Sequence, residues 1–239
     1  MTRIFSKRRS PVLETLGQLL ILLSVAAAVA YGAGWYPDGV LAQAVAKGAA
    51  VGLLALFVLI SSQNLNHLLL FLALCASVAG DVFLVLPHTE AFLHGLLGFL
   101  TAHIMFVILY FRNRLPGSDI SRARFNAAVL VWVATGISYI VMYPHLGALL
   151  WPVIGYSALL ALMTTTALLS GYSLKLVGLG AVLFLISDAL LGANQFLNVP
   201  AFVGQLVWGV YFTAQLLMTL GVMLGEDRRS TSFGSYRFD

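Results

Sequence analysis

Hydrophobic positions run almost unbroken along this chain, interrupted by short clusters of proline, glycine and polar residues. Eight runs approach the roughly 20 residues that a helix needs to cross a bilayer core. They extend from Leu16 to Gly34, Val40 to Ile60, His67 to Leu86, Ala91 to Phe111, Phe125 to Tyr143, Ala148 to Leu169, Leu174 to Asn194 and Ala201 to Leu224. Turn signals fall between them, among them Tyr36-Pro37-Asp38-Gly39, Pro87-His88, Arg114-Leu115-Pro116-Gly117, Tyr143-Pro144-His145 and Asn198-Val199-Pro200. The pattern predicts an all-α polytopic membrane protein: one eight-helix transmembrane domain over residues 16–224, a basic segment over 1–15 and a polar, disordered tail over 225–239.

Composition agrees with that reading. Of 239 residues, 60% are hydrophobic and only 9% charged, with a mean hydropathy of +0.95, and so few charges cannot cover a water-soluble surface. The single cysteine, Cys75, excludes an intrachain disulfide, a cysteine metal cage and a CxxC redox pair. The net charge of +4 matters through its placement. With eight spans and both termini cytoplasmic, twelve of the thirteen Lys and Arg residues fall inside, Lys47 being the exception. Seven or nine spans would scatter them. The expected location is therefore multi-pass, in the bacterial inner (plasma) membrane. The first run has the basic start and small residues of a signal peptide, but the stretch to Gly34 can span by itself and is expected to be retained.

Two acidic residues do not fit the greasy background. Glu14, Asp38, Glu90, Asp119, Glu226, Asp227 and Asp239 fall at helix ends, in loops or in the tail, where water is expected. Asp81 and Asp188 lie inside apolar runs, each about 20 Å from the cytoplasmic end of its helix in a core about 30 Å thick. Lys47 enters from the outer side to about 10 Å, so the three can share one layer. Charge at that depth costs several kcal/mol per group unless it is paired, hydrated or neutralised. If Lys47 reaches both carboxylates it can neutralise only one, and the other gains by holding a proton; a protonated and an ionised carboxyl together form an acid/base set.

Other polar residues fit the same layer. Ser77 and Asp81 stand one turn apart, and Asp188, Gly192 and Gln195 share a face beside Ser187 and Asn194. On the last span Gly204, Trp208, Tyr211 and Gln215 align. His103 lies near mid-membrane and Tyr156 close to the depth of Lys47, so these residues could line one cavity opening outward. Gly95 and Gly98 read as packing glycines. Gly80-Asp81-Val82-Phe83-Leu84 echoes Ser187-Asp188-Ala189-Leu190-Leu191, as a parallel repeat would. No GxSxG, HExxH, Walker A or GxGxxG signature is present. A metal site built from His94, His103 and the two aspartates lacks helical ligand spacing, so neither a metal nor a cofactor is expected. The buried carboxyls also suit an alternative, a proton-coupled lipid or small-molecule transporter.

The stretches "AGDVFLVL", "FLHGLLGFLTAH", "YPHLGALLWPVIGYSALLALM", "GLGAVLFLISDALLGANQF" and "LVWGVYFTAQLL" resemble, in order and spacing, the YhhN family of eight-helix membrane proteins, which includes the animal lysoplasmalogenases. The resemblance covers about Lys47 to Gly221 and picks out Lys47, Asp81, His103, Asp188, Tyr211 and Gln215. The family lysine is commonly followed by proline; here Gly48 follows. The resemblance implies hydrolysis of the vinyl ether bond of a lysoplasmalogen to a fatty aldehyde and a glycerophospho head group. Its substrate partner would be a single-chain ether lysophospholipid within membrane lipid, and no nucleic acid. Asp81 and Asp188 would be the catalytic carboxyls, with Lys47, His103, Tyr156, Asn194, Tyr211 and Gln215 binding substrate or supporting them. The chain of the substrate would lie between helices, its head near the outer face.

Overall fold

The computed structural model describes residues 11–235, with side chains through Glu226. The first ten residues, the last four and the tail side chains, on which the expected basic segment and tail partly fall, lie outside the described residues. Eight long helices follow in order: α1 (Pro11–Gly32), α2 (Val40–Ile60), α3 (Leu65–Phe83), α4 (Ala91–Arg112), α5 (Arg122–Met142), α6 (Leu150–Leu168), α7 (Leu179–Phe196) and α8 (Phe202–Ser235). Each, with its short flanking turns, is long and apolar enough to cross a membrane. The chain is a multi-pass integral membrane protein.

Local chemistry sets several helix ends. Asn64 caps α3 by accepting from the His67 amide, and Ser121 caps α5 by accepting from the Arg124 amide. Before α7 the backbone makes a π-helical turn, Leu174–Gly178, in which Ser173 O accepts from the amides of Leu176, Val177 and Gly178. Periodicity does not reveal this wider turn. Gly34 and Gly39, in the α1–α2 connection, hold positive φ of 72° and 118°, which a side chain would resist.

The helices pack as tight hairpins, α3 on α4 and α7 on α8, with α1 and α2 against them. Small residues permit this. A Cβ on Gly98 would sit 2.6 Å from Gly80 N and 2.7 Å from Gly80 Cα, so α3 and α4 touch backbone to backbone just beside Asp81. The central core runs through α2, α3, α4, α7 and α8, with Phe57, Phe106, Tyr110, Phe184 and Met218 fully buried.

α5 is the loosest span. Near one end, Ala128 and Val131 pack with Ala161 and Leu168; at the other, Met142 packs with Leu146 and Val153. Between these contacts most of its side chains are exposed.

Two acids expected in water are instead buried. Glu14 is 6% exposed and Glu226 8%. Glu226 accepts from Asn64 Nδ2 at 2.9 Å, Asn66 Nδ2 at 3.0 Å and Tyr172 OH at 2.6 Å. These donors come from distant parts of the chain, and together they tie α8 to the start of α3 and to the α6–α7 connection.

Candidate functional site

Asp81 lies near the end of α3, and its carboxylate is 1% exposed. Its Oδ1 is 3.3 Å from Lys47 Nζ, and its Oδ2 accepts from Tyr211 OH at 2.7 Å. Behind Tyr211, the fully buried Gln215 donates from Nε2 to Ser77 Oγ at 2.9 Å and to Tyr211 OH at 3.3 Å. Three helices thus hold one carboxylate, and an ion pair with a directed hydroxyl is what stabilises charge at such depth. Next to Lys47, α2 lies in van der Waals reach of α3: a Cβ on Gly48 would meet Val78 and Val82 at 3.4 Å.

Asp188, on α7, has a different environment. Its Oδ2 accepts from the Tyr156 hydroxyl of α6, and its Oδ1 accepts from Ser187 Oγ at 3.3 Å. Among the described residues no cation lies within ion-pair distance of it. Lys47 therefore serves Asp81 and not both carboxyls.

Both aspartates border one cavity of about 430 Å³ at the end of the bundle where α1 meets α2, α3 meets α4 and α7 meets α8. Lys47, Tyr211, Trp208 and Asn194 line it as well. Asn194 and its neighbour Gln195 are exposed at the mouth. A second cavity of about 410 Å³ lies on the other side of α7, between α4, α5, α6 and α7. Its walls are mainly apolar, and Tyr156 and Asp188 are among the few polar groups it meets.

The expected residues therefore sort by position. Lys47, Asp81, Asp188, Asn194 and Tyr211 meet at the first cavity, and Tyr156 reaches Asp188 from the second. Gln215 acts one layer behind Tyr211. His103 borders neither cavity: it is fully buried, its ring 5.2 Å from Tyr156 and 5.0 Å from Phe184, and neither ring nitrogen has a protein hydrogen-bond partner. His94 is well separated from it, against the rings of Phe83 and His88. No three of His, Cys, Asp and Glu gather as a metal site among the described residues.

Sequence reasoning missed Tyr31. It lines the first cavity from α1, its ring 4.5 Å from that of Trp208, whose Nε1 donates to Ala28 O at 2.9 Å. An aromatic residue at the end of an apolar run is common as a membrane-interface anchor, which concealed its part in the cavity.

Eight membrane-length helices that enclose two carboxyls, one lysine and two tyrosines around a cavity at one end of the bundle define a polytopic membrane protein with a polar cavity. The chain belongs to the YhhN family, whose family model matches residues 42–222. A lysoplasmalogenase of Mycobacterium tuberculosis (strain CDC 1551 / Oshkosh) is 34% identical over 161 residues, 65% of this chain and 60% of the relative. The lysoplasmalogenase TMEM86B of Homo sapiens is 30% identical over 194 residues, 79% of this chain and 80% of the relative. The lysoplasmalogenase TMEM86A of Homo sapiens is 28% identical over 163 residues. The match spans about 60% of the length of the mycobacterial relatives. No solved structure matches the chain.

Proposed function

We propose that this chain is a membrane hydrolase that cleaves the vinyl ether bond of lysoplasmalogens, releasing a fatty aldehyde and a glycerophospho head group. The observation that carries the reading is the inequality of two carboxyls at one cavity: Asp81 has a lysine, and Asp188 has only hydroxyl partners. The names of the relatives support the substrate class.

The reaction needs these two states. A vinyl ether is unreactive toward water until its β-carbon takes a proton, which leaves an oxocarbenium ion at the α-carbon. Asp81, held ionised by Lys47 and Tyr211, stabilises that cation by charge. Asp188, without a cation, carries the proton and delivers it to the β-carbon. Once ionised, Asp188 accepts a proton from the water that attacks the α-carbon, giving a hemiacetal and restoring the acid. The hemiacetal hydroxyl proton then passes to the departing glycerol oxygen as the carbon–oxygen bond breaks and the aldehyde forms. Tyr156 keeps Asp188 in place throughout, and the amides of Asn194 and Gln195 at the mouth provide donors for water or for the head group. On the charge pattern of the chain, the mouth faces away from the cytoplasm.

Purified protein incubated with vinyl ether, saturated ether and ester lysolipids should release aldehyde from the vinyl ethers alone. Asp81→Asn and Asp188→Asn should each reduce that turnover at least 100-fold while the protein stays folded. Near-normal turnover in both variants, or solute movement with no product released, would count against the hydrolase.

A further inference from the structure

α7 stands as a partition between two cavities of unlike character, and Asp188 borders both. On one side are Lys47, Asp81, Asn194 and Tyr211; on the other, apolar side chains of α5, α6 and α7. An amphiphile bound across this partition would place its polar end in the first cavity, its hydrocarbon in the second, and the bond joining them at Asp188. We infer that the groove between α5, α6 and α7 is the binding site for the single hydrocarbon chain of the substrate, and that the chain enters it sideways from the bilayer.

Three observations converge on that occupant. First, the groove is built into the way α5 is held: packing contacts secure the helix around Ala128 and Val131 and again around Tyr139 and Met142, and the stretch from Ala134 to Val141, mostly exposed, forms one wall. Second, the groove is open to the side. Ile137, Val141 and Ile186 line it and are 58%, 53% and 43% exposed, and at this depth in a spanning bundle the surroundings are lipid chains. Third, its size suits one chain. A methylene fills about the same volume as a water in the liquid, ~30 Å³, so 410 Å³ accommodates on the order of a dozen methylenes. Ser138 and Thr135 on α5 and Ser157 on α6 are the small polar groups along it, which leaves the wall smooth enough for an extended chain.

This placement rests on the hydrolase reading for the identity of the ligand, and it adds a source of specificity. Chain length is measured in the α5 groove, while the head group is sensed by Asn194 and Gln195 at the mouth. It also explains why a loosely packed helix is kept in an otherwise tight bundle: α5 can yield to admit a chain without disturbing α2, α3 and α8, which hold Asp81.

The test fills the groove. Ser138→Phe and Ser157→Phe each project a ring into it, and each methylene displaced from an apolar site weakens binding about fourfold. The ratio of kcat/KM for hexadecenyl over octenyl lysoplasmalogen is expected to fall at least tenfold in either variant relative to the unsubstituted protein; an unchanged ratio in two folded variants overturns the groove. A second measurement needs no turnover. A saturated single-chain ether lysolipid with a diazirine at mid-chain, photolysed in the unsubstituted protein in bilayers, is expected to label residues 134–142 and 185–193. Labelling elsewhere, or equal labelling of those segments by a two-chain phosphatidylcholine with the same diazirine, overturns the proposal. Selective labelling there in a protein that releases no aldehyde supports the groove and defeats the hydrolase reading, so the two failures are distinguishable.

Discussion

At the scale of single residues, the Lys47–Asp81 pair carries the largest energetic stake. Asp81 is 1% exposed, and its two oxygens are committed to Lys47 and Tyr211. Lys47→Met removes the cation and leaves a buried carboxylate with one hydroxyl partner, a change that costs about 3 kcal/mol. Asp81→Asn leaves instead a lysine near the cavity mouth, whose flexible stem can carry its charge to water. Thermal unfolding in detergent should therefore rank Lys47→Met below Asp81→Asn, and the double variant should recover most of the loss seen in Lys47→Met. Turnover should stay abolished in all three. A Lys47→Met protein as stable as the unsubstituted chain would show that the ion pair does not stabilise the fold. This part of the site was legible in the sequence because a charge inside an apolar run has few acceptable fates. The hydroxyl partners were less so: Tyr156 could be placed by depth alone, and its bond to Asp188 depends on how α6 is turned. His103 stood out by the same polarity, yet its ring lies edge-to-face against Tyr156 and Phe184 and away from both cavities. Glu226 misled in the opposite direction. Its polar neighbours suggested water, whereas its donors Asn64, Asn66 and Tyr172 sit far away in the sequence, where no local pattern can point to them.

At the scale of helices, what positions Asp81 is the crossing of α3 and α4. Gly98 faces the backbone of Gly80, the residue just before Asp81, at a separation that excludes a methyl group. Backbone atoms cannot rotate aside as a flexible side chain can, so Gly98→Ala must part the two helices. The expected cost is about 1–3 kcal/mol, together with at least a tenfold loss of turnover as Asp81 moves relative to Lys47 and Tyr211. Gly136→Ala, on α5, meets nothing within 4 Å and should fall within about 0.5 kcal/mol of the unsubstituted protein. Equal effects of the two substitutions would show that helix propensity, and not the crossing, sets the outcome. The eight spans were readable because twenty or so apolar residues between turn signals admit little else, and Gly95 and Gly98 were readable as packing residues. The π-helical turn at Leu174–Gly178 and the loose packing of α5 were not. Both depend on contacts between helices, and α5 is apolar around most of its circumference, so periodicity could not tell its packed side from its open one.

At the scale of the whole molecule, the two ends of the bundle are chemically distinct. One end holds the cavity with both aspartates; the other holds the buried Glu226 cluster and Arg124, whose guanidinium donates to the carbonyls of Leu168, Ser170 and Tyr172. Arg112, Arg114, Arg122, Arg124 and Lys175 all belong to that second end, which on the proposed orientation, from the positive-inside tendency, faces the cytoplasm. Lys47 is the basic residue that breaks the tendency, and its bond to Asp81 supplies the physical reason: the site holds it there. For the proposed hydrolase, orientation decides which pool of lipid is reached, because its polar cavity would open to one face while the inferred α5 groove would open to the bilayer itself. Single cysteines in a Cys75→Ala background test it. His145→Cys, at the cavity end, should react with a membrane-impermeant maleimide in intact cells, and Ser118→Cys, in the α4–α5 connection, should react only after the membrane is opened. The reverse pattern would turn the mouth toward the cytoplasm, and the head group released by cleavage would then be delivered inside the cell.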